Sequence, residues 1–228
     1  MPGNSKYNGL SAAIAMAALF TATSASAFSV STGGTAVLNE GLVSSVSGVV
    51  TTDFNSGLLS PDYIGGGIKL GSVVGQWAEL PGDTSHYLAV DQFDPAVISL
   101  GALASYFGYY GGSPDTYNSV QFWHGSDLIE IYTGTQLASF AHVAPDGNWD
   151  TGAYWNFTAT NSSEWFDTVK MISTSPAFET DNHAVLFAVP EPKTFAISSP
   201  VPEPQTYAML LAGLGLMGFM AYRRSKTS

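Results

Sequence analysis

Apolar and polar residues alternate with a period of two through the middle of the chain. That spacing lines one face of a strand rather than one stripe of a helix. It predicts strands over residues 46–54, 85–90, 96–100 and 105–110. Two more, 119–123 and 128–133, flank His124-Gly125-Ser126-Asp127, whose centre suits a hairpin turn. Residues 153–160, 166–173 and 184–188 complete the set. Gly, Ser and Thr punctuate these segments, and no long amphipathic helix interrupts them. The fold class that follows is all-β: a single antiparallel β-sandwich, jelly-roll-like, over residues 28–188. Residues 56–74, with Gly65-Gly66-Gly67, read as a long irregular connection.

The pattern changes at both ends. Lys6, the apolar run from Leu10 to Phe20 and the small-residue site Ala25-Ser26-Ala27 have the order of a secretory signal, which predicts a signal helix in residues 1–27 and cleavage before Phe28. Residues 189–204 hold two near-copies, Val189-Pro190-Glu191-Pro192 and Val201-Pro202-Glu203-Pro204. Each Pro fixes φ and removes a donor, so this stretch is an extended linker. Residues 205–228 contain the apolar run from Tyr207 to Tyr222, followed by Arg223, Arg224 and Lys226. As a helix this run is roughly 24 Å long, slightly short of a hydrocarbon core of about 30 Å. The basic cluster behind it reads as a stop-transfer signal that fixes orientation.

Charge narrows the partners. Residues 28–204 hold three lysines against all 18 acidic residues, a formal charge of −15. Nucleic acid is excluded, because binding it requires a dense field of Lys and Arg. The chain has no cysteine, so an exported body gains no disulfide and must rest on a packed core.

Pro-Glu-Pro, an apolar segment and a terminal Arg/Lys cluster, behind a secretory signal, resemble the PEP-CTERM sorting tail of bacterial exported proteins. The resemblance implies processing by an exosortase, an integral-membrane enzyme of Gram-negative bacteria that make extracellular polysaccharide. Pro202, Glu203 and Pro204 are then its recognition motif, and Tyr207 to Tyr222 a transient anchor in the inner membrane. Signal peptidase and the Sec translocon are implied as earlier partners, and the cell surface or extracellular matrix as destination. Tyr106 to Asn118, Tyr154 to Phe157, Phe166-Asp167 and Ala177 to Asn182 are also similar to a group of exosortase-dependent surface proteins, which implies a sandwich and a surface location but no activity.

Candidate chemistry in the body is sparse. Asp146, Asn148 and Asp150 place oxygen side chains at alternate positions, as the start of a calcium loop does, but Thr151 and Asn156 stand where that loop wants Gly and Glu. Asp181 and Asn182 offer further oxygens for calcium at a sandwich edge, or else form an Asx turn. Tyr109, Tyr110, Trp149 and Trp155 are candidates for stacking on a glycan of an extracellular polysaccharide, or else for core pairs. His86, His124, His142 and His183 lack metalloprotease spacing, and no G-x-S-x-G elbow occurs. Gly213-Leu214-Gly215-Leu216-Met217-Gly218 matches a dinucleotide fingerprint in letters only, since it lies inside the apolar tail. The expectation is a non-catalytic exported protein, with a calcium-dependent carbohydrate-binding module as alternative and a secreted hydrolase ranked lower.

Overall fold

The computed structural model describes residues 28–188. The strands in chain order are β1 (Phe28–Thr32), β2 (Thr35–Val37), β3 (Gly41–Val43), β4 (Val50–Thr52), β5 (Tyr63–Ile64), β6 (Gly67–Lys69) and β7 (Tyr87–Val90). There follow β8 (Ala96–Gly111), β9 (Asn118–His124), β10 (Asp127–Thr133), β11 (Ala153–Ala159), β12 (Phe166–Ser173) and β13 (Phe178–Phe187). One short helix, α1 (Gly134–Ala141), joins β10 to β11.

The long strand β8 organises a large antiparallel sheet. Its first half pairs with β12, Ile98 opposite Val169, and with β5, Ile98 opposite Tyr63. Its second half pairs with β11, Tyr109 opposite Trp155, and with β13, Tyr110 opposite Asp181. Between the halves the register against β12 slips, because Phe166 faces Ala104 while Thr168 faces Ser99. The extra residues form a bulge, which bends a strand and strengthens its twist. The sequence pattern read this bulge as a gap between two strands. One arm of the sheet therefore runs β10-β9-β12-β8, and the other runs β1-β11-β8-β13-β7-β6 with β4 also on β13.

Alternation decides what each arm buries. On β9 the buried positions are Asn118, Val120 and Phe122, and on β12 they are Phe166, Val169, Met171 and Ser173. Rings from both arms meet in one core. The Phe122 ring on β9 lies 4.6 Å from Phe28 on β1, 5.1 Å from Phe157 on β11 and 4.9 Å from Phe166 on β12. Burial of such a ring stabilises by about 2–3 kcal/mol, and this aromatic core stands where a cysteine-free chain has no cross-link.

The hairpin forms as its sequence predicts, with His124 opposite Asp127 and Gly125 at φ 58° in the two-residue turn. The helix was not expected. It carries its own start signal, since the Thr133 side chain accepts from the Gln136 N–H while the Gln136 side chain accepts from the Thr133 N–H, a reciprocal capping box. Other boundaries move: the expected strand 46–54 shrinks to β4, the last strand starts at Phe178 rather than 184, and β5 and β6 lie inside the expected loop. The expected signal helix and the expected C-terminal transmembrane helix fall on residues outside those described. Among the described residues, no helix is long and apolar enough to cross a membrane.

Candidate functional site

Antiparallel pairing brings several chain segments to one end of the sheet. The end of β8 lies beside the start of β13, with Gly111 opposite Thr180, and the start of β9 lies beside the end of β12, with Asn118 opposite Ser173. The loops there, joined by residues 75–79 and 147–149, line a cleft of about 480 Å³ counting the space at its mouth. Its walls include Trp77, Ser113, Asp115, Tyr117, Trp149 and Glu179.

Each polar group is set by its local backbone. The β8–β9 loop turns at Asp115, whose carbonyl accepts from the Asn118 N–H at 2.9 Å, while its Oδ2 accepts from the Tyr117 hydroxyl at 2.9 Å. Burial raises the Asp115 carboxyl above its ordinary range, and the Tyr117 hydrogen bond offsets part of that rise. Glu179 Oε1 accepts from the Ala78 N–H at 2.9 Å. Burial pushes Glu179 up to about 7, against the lowering effect of that hydrogen bond and with a further push from the charge of Asp115. Two groups on the walls lack partners: the buried Nε1–H of Trp77 and the hydroxyl of Ser113. Lys69 Nζ sits 4.2 Å from the Trp77 ring centroid.

A second polar cluster lies deeper, where β13 bulges between Asp181 and Ala184. Asp181 and Asp83 are 1 % and 3 % exposed, and the Ser85 hydroxyl donates to Asp83 Oδ1 at 2.7 Å. Burial first, then the hydrogen bond and charge of Asp83, push the Asp181 carboxyl up to about 9. Asp83 Oδ2 has no donor. A carboxylate oxygen beside another carboxyl gains a partner only when one of the two holds a proton. Asn182, at φ 50°, donates its side-chain amide to the carbonyls of Glu40 and Leu42 at 2.7 and 3.2 Å. His183 bonds to the Tyr63 hydroxyl through Nδ1 at 3.0 Å and to Thr180 Oγ1 through Nε2 at 2.9 Å. Burial pushes His183 down to about 3, so it sits neutral among the rings of Phe54, Tyr63 and Phe107.

The sequence-derived candidates fall differently. Tyr109, Tyr110 and Trp155 are 0, 2 and 1 % exposed, so they cannot form a surface platform. Tyr109 and Trp155 share one buried face of β8 and β11, where their rings stack at 5.4 Å and the Trp155 N–H is satisfied by the Leu137 carbonyl at 3.0 Å. Tyr110 points to the opposite face and packs with Leu80, Tyr87 and Tyr154. Trp149 is the exception, half exposed at the cleft. Asp146 and Asn148 turn their oxygens onto the backbone N–H groups of Asn148 and Asp150, at 3.2 and 3.1 Å, as consecutive Asx turns. Among the described residues, no group of three or more His, Cys, Asp and Glu side chains is arranged to hold a metal. Phe28 opens β1 as a core residue. Ala25, Ala27, Pro202, Glu203, Pro204, Arg223, Arg224 and Lys226 lie outside the described residues. Sequence reasoning missed Trp77, Ser113 and Glu179 as site residues, although the segments Tyr106 to Asn118 and Ala177 to Asn182 meet at the cleft.

Comparison with known proteins speaks to the tail. Residues 200–225 match a family of C-terminal protein-sorting segments, which define exported proteins that transit a membrane. The family is the PEP-CTERM protein-sorting motif, and the chain carries it at its C-terminal end, as its Pro-Glu-Pro, apolar run and basic cluster imply. The motif indicates exosortase-dependent sorting. No curated protein matches the chain.

Proposed function

We propose that this is a non-catalytic exported protein of the cell surface or extracellular matrix, a jelly-roll-like antiparallel sandwich released to its destination when an exosortase acts at Pro202-Glu203-Pro204. The sorting motif at residues 200–225 carries the reading. Signal peptidase removes residues 1–27 after Sec export, residues 205–228 hold the chain transiently in the inner membrane of a Gram-negative bacterium, and processing frees the body. The body's charge of −15 over residues 28–204 supports the reading by keeping an extracellular domain hydrated and apart from other anionic polymers. Only the second Pro-Glu-Pro precedes an apolar run, so it is the copy that processing uses.

Replacing Glu203 with Ala tests this in the native host. The expected result is a longer precursor retained in the membrane fraction, with Glu191→Ala processed normally. Normal release of the Glu203→Ala protein would sink the sorting assignment.

A calcium-dependent binding role is the second reading, favoured by the Asp146-Asn148-Asp150 loop lying next to the cleft through Gly147 and Trp149. Calcium titration followed by Trp149 fluorescence decides it. A saturating change reversed by chelator supports calcium at the loop, and an unresponsive signal removes it.

A further inference from the structure

The cleft at the end of β8 combines two features that ordinary loop packing does not require. Its walls hold polar groups that the protein leaves unsatisfied, and its mouth holds a large ring that the protein leaves uncovered. The Trp77 Nε1–H and the Ser113 hydroxyl are buried without partners, and Ser113 is only 9 % exposed. A buried donor without an acceptor costs about 1–3 kcal/mol. Native structures carry few such groups, and each calls for a partner; Tyr109, Asn118 and Asp83 hold others away from the cleft, whereas Trp77 and Ser113 line it. Trp149, at the same cleft, is 50 % exposed.

The chemistry of the walls selects the ligand. A donor at Trp77, a hydroxyl at Ser113 and carboxyl acceptors at Asp115 and Glu179 surround an apolar surface from Trp149 and Tyr117. A pyranose ring presents the complement: an apolar C–H face, with hydroxyls around the rim that both donate and accept. An ammonium ligand would use the carboxyls but leave the Trp77 N–H unpaired. A uronic acid or other anionic sugar would meet two carboxyl groups on the wall, while Lys69, the cation beside the cleft, is held over the Trp77 ring. We infer that this cleft binds a neutral pyranose unit, with one ring face on Trp149 and its hydroxyls completing Trp77, Ser113, Asp115 and Glu179.

The inference does not rest on the sorting assignment, because it concerns the folded body alone. The test uses the full chain in a zwitterionic, sugar-free detergent, titrated with methyl glucoside, galactoside and mannoside, and separately with glucosamine and glucuronate. The readout is the indole N–H region of a ¹⁵N-correlated proton spectrum. A single-ring ligand is expected to bind in the millimolar range, so titration runs to about 50 mM. At least one neutral glycoside should move the Trp77 indole resonance saturably, and Trp149→Ala should weaken that binding about fivefold to tenfold. Trp149 is half exposed, so this variant should unfold at the same urea midpoint as the parent. Trp77→Phe, which keeps a ring and removes the unpaired donor, should weaken binding too, followed through the Trp149 indole resonance. Three results each overturn the inference: no saturable shift with any neutral glycoside, binding unchanged by Trp149→Ala, or binding confined to glucosamine or glucuronate.

Discussion

Replacing Asp181 with Asn should make this protein more stable at alkaline pH, with a gain several times smaller at pH 5. Asp181 is 1 % exposed beside Asp83, and its carboxyl is pushed from 3.8 up to about 9, chiefly by burial and then by Asp83. Between about pH 4 and 9 the folded chain holds a proton that the unfolded chain has released. Folding takes up that proton, so stability is fully present at low pH and falls as pH rises through the window. At pH 8 the displacement is about four pKa units, and at about 1.4 kcal/mol per unit the cost has a ceiling of roughly 6 kcal/mol. Local relaxation that admits water lowers the expected value to about 2–4 kcal/mol. Asn carries its N–H donors at every pH and supplies one to Asp83 Oδ2, which has no partner.

The assay is urea unfolding of both proteins from pH 5 to 9, read as the difference between them. Other shifted groups, Asp115, Glu179 and His183 among them, shape each profile but cancel in that difference. Glu179, raised to about 7, loses stability as pH rises from 4.5, and His183, lowered to about 3, loses it as pH falls below 6.5. Together with Asp181 they place the parent's maximum stability on the acid side of neutrality. A difference that stays flat from pH 5 to 9, or an Asn variant less stable at pH 8, would refute the shared-proton account.

Three further changes probe the frame. Gly134→Ala puts a Cβ against the Asp115 carbonyl oxygen, a backbone atom, and should cost about 1–3 kcal/mol in urea unfolding as overpacking does. Phe28→Ala empties a site shared by Phe122, Tyr132 and Phe166 and should cost about 3–5 kcal/mol; a loss under 1 kcal/mol would mean that β1 is not part of the cooperative core. Thr133→Ala removes the helix cap and should cost about 1 kcal/mol, with amide exchange rising first in residues 134–141.

Alternation exposed the strands whose two faces differ most. Residues 166–173 match β12 end to end, because its inward positions are apolar or small and its outward ones include Asp167 and Lys170. The first three strands were invisible, since their Ser, Thr and Gly content resembles a linker, and β1 is fixed by pairing with β11 far along the chain rather than by its own pattern. The helix was signalled by Thr133 and Gln136, which period-two reading passes over. Aromatic residues were legible as a class but not by side: Tyr109 and Trp155 are buried on one face of the sheet, Tyr110 on the other, and Trp149 stayed out. The cleft was not legible, because its residues come from four segments that only the strand order brings together.

The pairing of β1 with β11 sets when this protein can finish folding. Phe28 lies opposite Ala159 and Thr32 opposite Trp155, so the first strand waits for a partner more than a hundred residues downstream. A chain made from its N-terminus cannot close that pairing until nearly the whole body has been made. Long-range pairings form slowly, so the polypeptide stays threadable for longer than a chain of local hairpins would. Once β11 is available, Phe28 can dock among Phe122, Tyr132 and Phe166, and the last gap in the aromatic core is filled by the residue at the start of the sheet.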